Sequence, residues 1–323
     1  MLAPTEITFW HWAGFIVCVL LFLALDLGVF HRKAHAIKFR EALTWSAVWF
    51  GVALAFGLGL NKTRGPKESL EFLTGYLIEL SLSMDNVFVI ALIFAHFRVP
   101  AQHQHRVLFW GILGALIMRG FMIGVGVALI AFVHWILWVC GAFLLYSGIK
   151  TLFVESEIDP EKSRAIRLAR KLYPVAPNLD GQRFVTMWEG RRALTPLALV
   201  LLLVETSDLI FAVDSIPAVF AVTTKPFIVF TSNVFAILGL RSLYFVLAGA
   251  IGYFRFLKYG LSLVLVLIGI KMLLDPHDRE PPLWFQFEMP VWLSLLAVGG
   301  IILGSILLSV LAAYLERRKR ARK

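Results

Sequence analysis

The chain has 323 residues, of which 59% are hydrophobic and only 16% are charged, with a mean hydropathy of +0.79. A soluble domain carries about a quarter of charged residues, so this composition excludes an ordinary soluble enzyme and indicates a polytopic membrane protein. The formal net charge is +10, but the basic residues lie mostly in predicted loops and in the C-terminal run ERRKRARK. That placement is typical of cytoplasmic loops and tails, not of a nucleic-acid-binding surface.

The chain contains nine apolar stretches that are long enough to cross a bilayer as helices. The predicted spans are residues 9–30, 42–60, 73–94, 108–132, 135–153, 196–222, 227–251, 259–274 and 291–314. The first lacks a basic leading region and a small-residue cleavage site, so we expect it to be retained as a span and not removed as a signal peptide. The chain is therefore predicted to be all-α, with residues 1–323 forming a single transmembrane domain.

The distribution of lysine and arginine predicts which side of the membrane each connection faces. Basic side chains concentrate in the odd-numbered connections, above all in the charge-rich segment 155–192, and in the tail. We expect these parts to be cytoplasmic, with some helix in 155–192, the N-terminus outside and the C-terminus inside. The connection 61–70 is an exception, because Lys62, Arg64 and Lys67 fall on its predicted outer side.

Two parts of the chain resemble each other in the order and spacing of their charged residues. The aligned landmarks are Glu79 with Asp208, Asp85 with Asp214, Asn86 with Ser215, Arg119 with Arg241, and Lys150 with Lys271. Each unit, at about 70–153 and 196–274, contains three predicted spans, so the second would enter the membrane upside down relative to the first. The spans 9–30, 42–60 and 291–314 flank them. Inverted repeats of this kind are typical of transporters, whose site lies at the repeat interface near the bilayer midplane.

Five carboxylates fall within two of the predicted spans, namely Glu79, Asp85, Glu205, Asp208 and Asp214. A charged side chain at the centre of a span costs about 2.5–3.5 kcal/mol on insertion scales, so the group needs a physical cause. Ion pairing with Arg119 and Arg241 is the structural alternative, but it compensates only two of the acids. Three remain, or four when Asp26 is counted, and this excess predicts bound protons or a bound cation.

The available ligand atoms favour a hard divalent cation. All eight histidines lie near span ends or in loops, and the only two cysteines, Cys18 and Cys140, are isolated, so Zn²⁺ and Cu⁺ would find few ligands. Carboxylates, an amide and nearby serines supply oxygen atoms that suit Mn²⁺, Mg²⁺ or Ca²⁺. The predicted ligands are Glu79, Asp85, Asn86, Glu205, Asp208 and Asp214, with Arg119, Arg241, Ser215 and Asp26 as surrounding partners.

Helix geometry restricts how these acids can meet. Residues six apart on a straight helix differ by about 120° around the axis and about 9 Å along it, so the paired acids of each unit share a face only if the helix is broken. Pro217, just after the second pair, gives a local reason for such a break. Glu205 and Asp208, three residues apart, lie on neighbouring rows of one face without any break.

The segments YLIELSLSMDNVFV, VETSDLIFAVDSIPA and TSNVFAILGLRSLYF resemble the motifs of the TerC family, and the chain is most similar to its Alx-type members. The resemblance covers about residues 35–274. It implies an integral protein of the bacterial inner membrane, distantly related to LysE-type exporters and associated with Mn²⁺ efflux and, by name, tellurium resistance. It also implies that the five intramembrane acids belong to the functional site.

The sequence thus predicts a secondary transporter that exports divalent metal, with Mn²⁺ as the expected ion and protons exchanged at the same carboxylates. The chain contains no Walker A motif, and we expect no enzymatic activity, required cofactor or nucleic-acid partner. An intramembrane aspartyl protease is disfavoured, because the chain has no GxGD motif. A non-transporting accessory subunit, which assists metalation of exported proteins or metal and tellurium resistance, remains open, as does assembly into a homo-oligomer or with membrane partner proteins.

Overall fold

The computed structural model describes residues 7–25, 39–133, 135–153, 163–248, 256–275 and 286–320. These residues form ten helices and one β-hairpin. The elements are α1 (Phe9–Leu25), α2 (Phe39–Arg64), α3 (Pro66–His96), α4 (Ala101–Phe132), α5 (Ile136–Phe153), α6 (Arg164–Leu172), β1 (Val185–Trp188), β2 (Arg191–Leu194), α7 (Pro196–Phe220), α8 (Pro226–Ala248), α9 (Leu257–Leu274) and α10 (Val291–Arg320).

Eight helices in the described part of the chain are long and apolar enough to cross a membrane, and α1 is a shorter apolar helix. All nine predicted spans therefore coincide with apolar helices, which confirms the polytopic helical architecture. Large apolar side chains such as Leu20, Phe121 and Leu303 are exposed on the outer faces, where the bilayer would cover them. In contrast, α8 is enclosed by other helices over almost its whole length.

Local backbone chemistry explains where α3 and α7 begin. Gly65 has a φ of 94°, a conformation that suits glycine, and it separates the end of α2 from Pro66 at the first position of α3. Helix α3 thus starts seven residues before the predicted span at 73–94. At α7, the Thr195 side chain accepts a hydrogen bond from the Ala198 amide, and Pro196 occupies the first helical position.

The helix break suggested by Pro217 is not present. Helix α7 runs without interruption from Pro196 to Phe220, and Pro217 lies in its last turn. A proline this close to the end of a helix removes one hydrogen bond without separating the acids upstream of it. The acids of each predicted unit therefore lie on continuous helices.

The helices of the two predicted repeats pack as counterparts. Helix α3 contacts α7, α4 contacts α8, and α5 contacts α9. The α5–α9 contact is especially close, because a Cβ on Gly269 would lie 2.7 Å from the Leu145 amide nitrogen and 2.9 Å from the Gly141 carbonyl oxygen. A two-fold relation would produce these pairings, while the inverted orientation in the membrane and the relation to LysE-type exporters stay predictions.

Connections from different parts of the chain meet at the two ends of the bundle. At one end, Lys225, before α8, lies 3.2 Å from Glu68 and 3.1 Å from Glu71 at the start of α3. At the other end, the Arg106 guanidinium, near the beginning of α4, lies 5.3 Å from the centre of the Phe184 ring in the segment after α6. The second and sixth connections thus lie at one end of the bundle, and the third and fifth lie at the other.

Within the predicted cytoplasmic segment 155–192, the described residues include the expected helix, α6, and a β-hairpin that the sequence did not predict. Its strands pair in antiparallel register, with Val185 opposite Leu194 and Trp188 opposite Arg191. The turn uses Glu189 and Gly190, both with positive φ, as tight hairpins require. Residues 154–162 lie outside the described part of the chain.

Candidate functional site

A buried arginine at the centre of the bundle connects the two predicted repeats. Arg119 on α4 donates from Nε to Asp208 Oδ2 at 3.1 Å and from Nη2 to Asp208 Oδ1 at 2.7 Å. Its Nη1 donates to Glu79 Oε1 and forms an ion pair with it. Two nitrogens on one carboxylate make a bidentate pair, which is the strongest and most directional form of this contact.

Three further polar side chains complete the cluster around Arg119. Asn86 Nδ2 donates to Asp208 Oδ1 at 2.8 Å, and Arg119 Nη1 lies 3.4 Å from both Ser215 Oγ and Asn233 Oδ1. Every member of this Arg119 cluster, which comprises Glu79, Asn86, Arg119, Asp208, Ser215 and Asn233, is at most 3% exposed. The cluster is therefore a polar island inside the apolar bundle.

The cluster brings together residues that the sequence alignment pairs. Glu79 of the first repeat and its counterpart Asp208 of the second lie on either side of one guanidinium. Asn86 and its counterpart Ser215 also contact this group of side chains, through Asp208 and Arg119 respectively. Two aligned pairs therefore meet in one place, as the predicted repeat requires, while the repeat itself stays a prediction.

None of the remaining three acids contacts Arg119, and two of them, Asp85 and Asp214, have partners on other helices. Asp85 is close enough to Lys258 of α9 for the two charges to interact. Asp214 lies beside Ser147 of α5 and close enough to Lys150 of the same helix for their charges to interact. This divergence follows from the 120° rotation over six residues on unbroken helices, as the spacing predicts. The five acids thus occupy several positions in this structure, and one shared site made of all of them stays a prediction.

Glu205 lies close to Asp208 and faces α4. It is three residues before Asp208 on α7 and experiences its negative charge, as expected for neighbouring rows of one face. Its carboxylate occupies the space that a Cβ on Gly114 would need. Among the described residues no cation pairs with Glu205, so it adds negative charge to one edge of the Arg119 cluster.

Arg241 has different surroundings from those of its counterpart Arg119. Its Nη1 lies 3.2 Å from His105 Nε2, near the beginning of α4. His105 is fourteen residues before Arg119, which corresponds to about 21 Å along the helix. The structure therefore places Arg241 near the end of the bundle and not beside Arg119. Asp26, the other predicted surrounding partner, lies outside the described residues.

Four residues that shape the site were not among the predicted site residues, although Lys150 was aligned with Lys271 as a landmark of the repeat. Asn233 contacts Arg119, Gly114 makes room for Glu205, and Lys150 and Lys258 lie near Asp214 and Asp85. The polar triplet Thr231-Ser232-Asn233 inside an apolar span was an available signal for Asn233, since buried amides in membranes need partners. Sequence alone gave no signal for Gly114, because its importance depends on which helix faces it.

Several buried polar atoms of the cluster have no hydrogen-bond partner in the described structure. They include Glu79 Oε2 and Asn86 Oδ1, as well as Ser83 Oγ one helical turn away from Glu79 on α3. Oxygen atoms of these types are the ligands that Mn²⁺, Mg²⁺ and Ca²⁺ prefer. No group of three or more His, Cys, Asp or Glu side chains within the described residues is arranged to hold a metal ion, and Arg119 lies between the two central acids.

Comparison with known proteins identifies the family. A model described as "Integral membrane protein TerC family" matches residues 64–320, which include the whole Arg119 cluster. The chain belongs to the TerC family. No solved structure matches this TerC-family chain.

Related TerC-family sequences extend over nearly the full chain. A Myxococcus xanthus protein named "Uncharacterized membrane protein STKORF319" is 54% identical over 302 residues, covering 93% of this chain and 92% of the relative. Proteins of Escherichia coli strain K12 and Shigella flexneri, both named "Putative membrane-bound redox modulator Alx", are 44% identical over 319 residues. Each alignment with these two covers 96% of this chain and 97% of the relative.

Proposed function

We propose that this TerC-family protein is a secondary transporter that exports a divalent metal, with Mn²⁺ as the substrate, across the bacterial inner membrane. The observation that carries the proposal is the buried pair Glu79 and Asp208, one from each predicted repeat, inside the membrane-spanning helices. Inverted-repeat transporters bind substrate at this type of position. The oxygen-rich composition of the Arg119 cluster suits a hard divalent cation better than a soft one.

The charge balance of the cluster supports a cation as its ligand. Glu79 and Asp208 share one arginine, so one negative charge remains when both acids are ionised. Glu205 adds a second negative charge beside Asp208 without a cation partner among the described residues. A purely structural ion-pair cluster would be expected to approach neutrality, because uncompensated charge inside a membrane is costly.

Proton exchange at the intramembrane acids would provide the energy for export. Asp85 and Asp214 lie in the spans without contacting Arg119, so each can take up a proton while Glu79 and Asp208 hold the metal. Proton uptake by these acids in the metal-bound state would couple the two ions through the charge balance of the spans. The transported metal leaves as protons enter, down the proton gradient of the inner membrane.

An accessory role is the second candidate, and one observation favours it. Arg119 already forms ion pairs with the two central acids. The described residues contain no group of three or more His, Cys, Asp or Glu side chains arranged to hold a metal ion. Such a protein would assist the metalation of exported proteins or metal stress resistance without moving metal itself. Direct thiol–disulfide chemistry within the chain has less support, because the two cysteines, Cys18 on α1 and Cys140 on α5, are not paired with each other.

Flux through the purified full-length protein in proteoliposomes tests the proposal. Vesicles loaded with Mn²⁺ should release it when a pH gradient is imposed, and Mg²⁺ and Ca²⁺ loaded in parallel define selectivity. The matched inactive control is Glu79→Gln/Asp208→Asn/Arg119→Gln, which removes both central carboxylates together with the arginine that pairs with them. Release that equals that of protein-free vesicles would contradict transport and leave the accessory role.

A further inference from the structure

The Arg119 guanidinium occupies the position between the two central acids that a cation would occupy. Its contacts with Asp208 and Glu79 use three separate nitrogens, so the carboxylates are already coordinated by a positive group. A metal ion cannot bind both acids while these contacts persist. Any divalent cation at this site must therefore compete with a positive charge that is covalently attached to the protein.

The surroundings contain oxygen atoms that the guanidinium leaves without a partner. Glu79 Oε2 and Asn86 Oδ1 are buried and have no hydrogen-bond partner among the described residues, although both side chains belong to the cluster. With the guanidinium withdrawn, these atoms and the two Asp208 oxygens would supply a hard divalent cation with a carboxylate- and amide-rich set. The two carboxylates would then match the charge of one divalent ion.

A second acid is available to the displaced guanidinium. Glu205 lies on α7 next to Asp208, faces α4 at Gly114, and has no cation partner among the described residues. Glu205 and Asp208 are three residues apart on neighbouring rows of α7, about 4.5 Å along its axis, so a guanidinium that leaves Asp208 needs only a short displacement to meet Glu205. Arg119 can thus exchange Asp208 for Glu205 without entering the apolar bundle as an unpaired charge.

We propose that Arg119 is a tethered competitor of the transported ion, and that the guanidinium and the divalent cation occupy Glu79 and Asp208 in alternation. This proposal rests on the proposed export function, because it assigns the metal to the same two acids. When metal binds, Arg119 moves to Glu205; when metal leaves, Arg119 returns and neutralises the emptied acids. The arginine sets the affinity of the site low enough for release, and Glu205 offsets part of that effect.

Equilibrium binding of Mn²⁺ to the purified full-length protein in nanodiscs tests this competition without requiring transport. Arg119→Lys keeps the charge but loses the bidentate contact, and Arg119→Gln removes the charge. We expect Mn²⁺ affinity to increase in the order wild type, Arg119→Lys, Arg119→Gln, with the last at least about tenfold tighter than wild type. Arg106→Gln, on the same helix about 20 Å away, removes the same charge and should change affinity by less than about twofold.

Glu205 provides the second arm of the experiment. Glu205→Gln removes the alternative partner of Arg119, so it should weaken Mn²⁺ binding about tenfold in the wild-type background. In the Arg119→Gln background no guanidinium needs to move, and the same substitution should have less than about twofold effect. A simple loss of a metal ligand would weaken binding equally in both backgrounds.

The outcomes separate this proposal from the proposed function. Equal or weaker Mn²⁺ binding by Arg119→Lys and Arg119→Gln, with wild-type protein that binds Mn²⁺, overturns the competition and leaves metal export intact. Absence of Mn²⁺ binding in every variant overturns both. If Arg119→Gln does not accumulate, Arg119→Lys decides, because it retains the positive charge that the fold needs and still predicts tighter binding.

Discussion

Glu79 and Asp208 depend on the same guanidinium, and this sharing determines how the cluster responds to substitution. Removing one acid leaves Arg119 paired with the other, so the buried charge stays compensated. Removing both leaves the guanidinium without a carboxylate in its present position. The two substitutions are therefore expected to be strongly non-additive.

The first prediction measures this non-additivity. Glu79→Gln and Asp208→Asn should each reduce the free energy of unfolding only modestly. The double variant should lose more than the sum of the two, up to about 3–5 kcal/mol, because it leaves the buried guanidinium with Glu205 alone as an acidic partner. Adding Arg119→Gln to the double variant should restore its abundance in the membrane. Thermal melting of purified variants and immunoblots of membranes report the effect, and an additive double variant would contradict the shared pairing.

The second prediction concerns the acids that do not contact Arg119. Asp85→Asn and Asp214→Asn each keep the size of the side chain and disturb no pairing of Arg119, so membrane abundance should stay normal. Mn²⁺ efflux should nevertheless fall to background, because these acids are proposed to carry protons. Cellular manganese and a blot are measured together, with Asp180→Asn in the hairpin region as control. Normal efflux from either spanning variant would remove that acid from the mechanism.

At the scale of helices, the sequence predicted every long apolar element but not how far each extends. Hydropathy reports only the apolar part of a helix, so α3 was predicted from residue 73, although Pro66 and Gly65 set its real start. The helical phase of the acids was predictable, because it depends on spacing alone. The prediction of a proline-induced break was wrong. Pro217 lies in the last turn of α7, and the sequence did not show where that helix ends.

The partners of the acids depend on packing between helices and could not be predicted from spacing. Glu79 and Asp208 were correctly identified as intramembrane acids, but their common arginine became visible only when α3, α4 and α7 were placed together. Arg241 illustrates the limit, since its aligned position suggested an equivalent role and the structure gives it His105 as a neighbour. An alignment of repeats shows which residues hold equivalent positions in the two units. Equivalent side chains make the same contacts only if the same kind of helix packs against each of them.

The third prediction tests the close contact of α5 and α9. Gly269→Ala places a methyl group within 2.9 Å of backbone atoms of Gly141 and Leu145, which cannot rotate away. The helices must separate, and we expect a loss of about 1–3 kcal/mol in stability. Gly304→Ala on α10 is the matched control, because a Cβ there meets nothing within 4 Å. Melting temperatures of the two variants in detergent should differ clearly, and equal values would contradict the contact.

At the scale of the whole molecule, one of the charged residues that conflict with the expected orientation has an acidic partner nearby. Arg64 forms an ion pair with Glu68, and Lys225 is paired with Glu68 and Glu71 at the same end of the bundle. Thr223 Oγ1 also donates to Glu71 at 2.9 Å. Arg64 thus belongs to a charged network at this end of the bundle, and the orientation of the chain stays a prediction.

The fourth prediction fixes the orientation by experiment. Reporter fusions or accessibility labelling should place the segment 155–192 in the cytoplasm and the segment 275–290 outside. The cation–π contact of Arg106 with Phe184 predicts that the α3–α4 turn is labelled from the same side as 155–192. Detection of 155–192 and 275–290 on one side would exclude the inverted relation of the two repeats.

The depth of the Arg119 cluster has an electrical consequence. Glu79 is thirteen residues from the start of α3 and seventeen from its end, about 20 Å and about 25 Å along the axis. A divalent ion that reaches it from either side crosses about half of the membrane voltage, which corresponds to about 2.3 kcal/mol per 100 mV. Occupancy from the cytoplasm should therefore change about fiftyfold over 100 mV, measured by imposing potassium–valinomycin potentials on vesicles. Cells with a strongly polarised membrane would therefore load the proposed metal site less readily than depolarised ones.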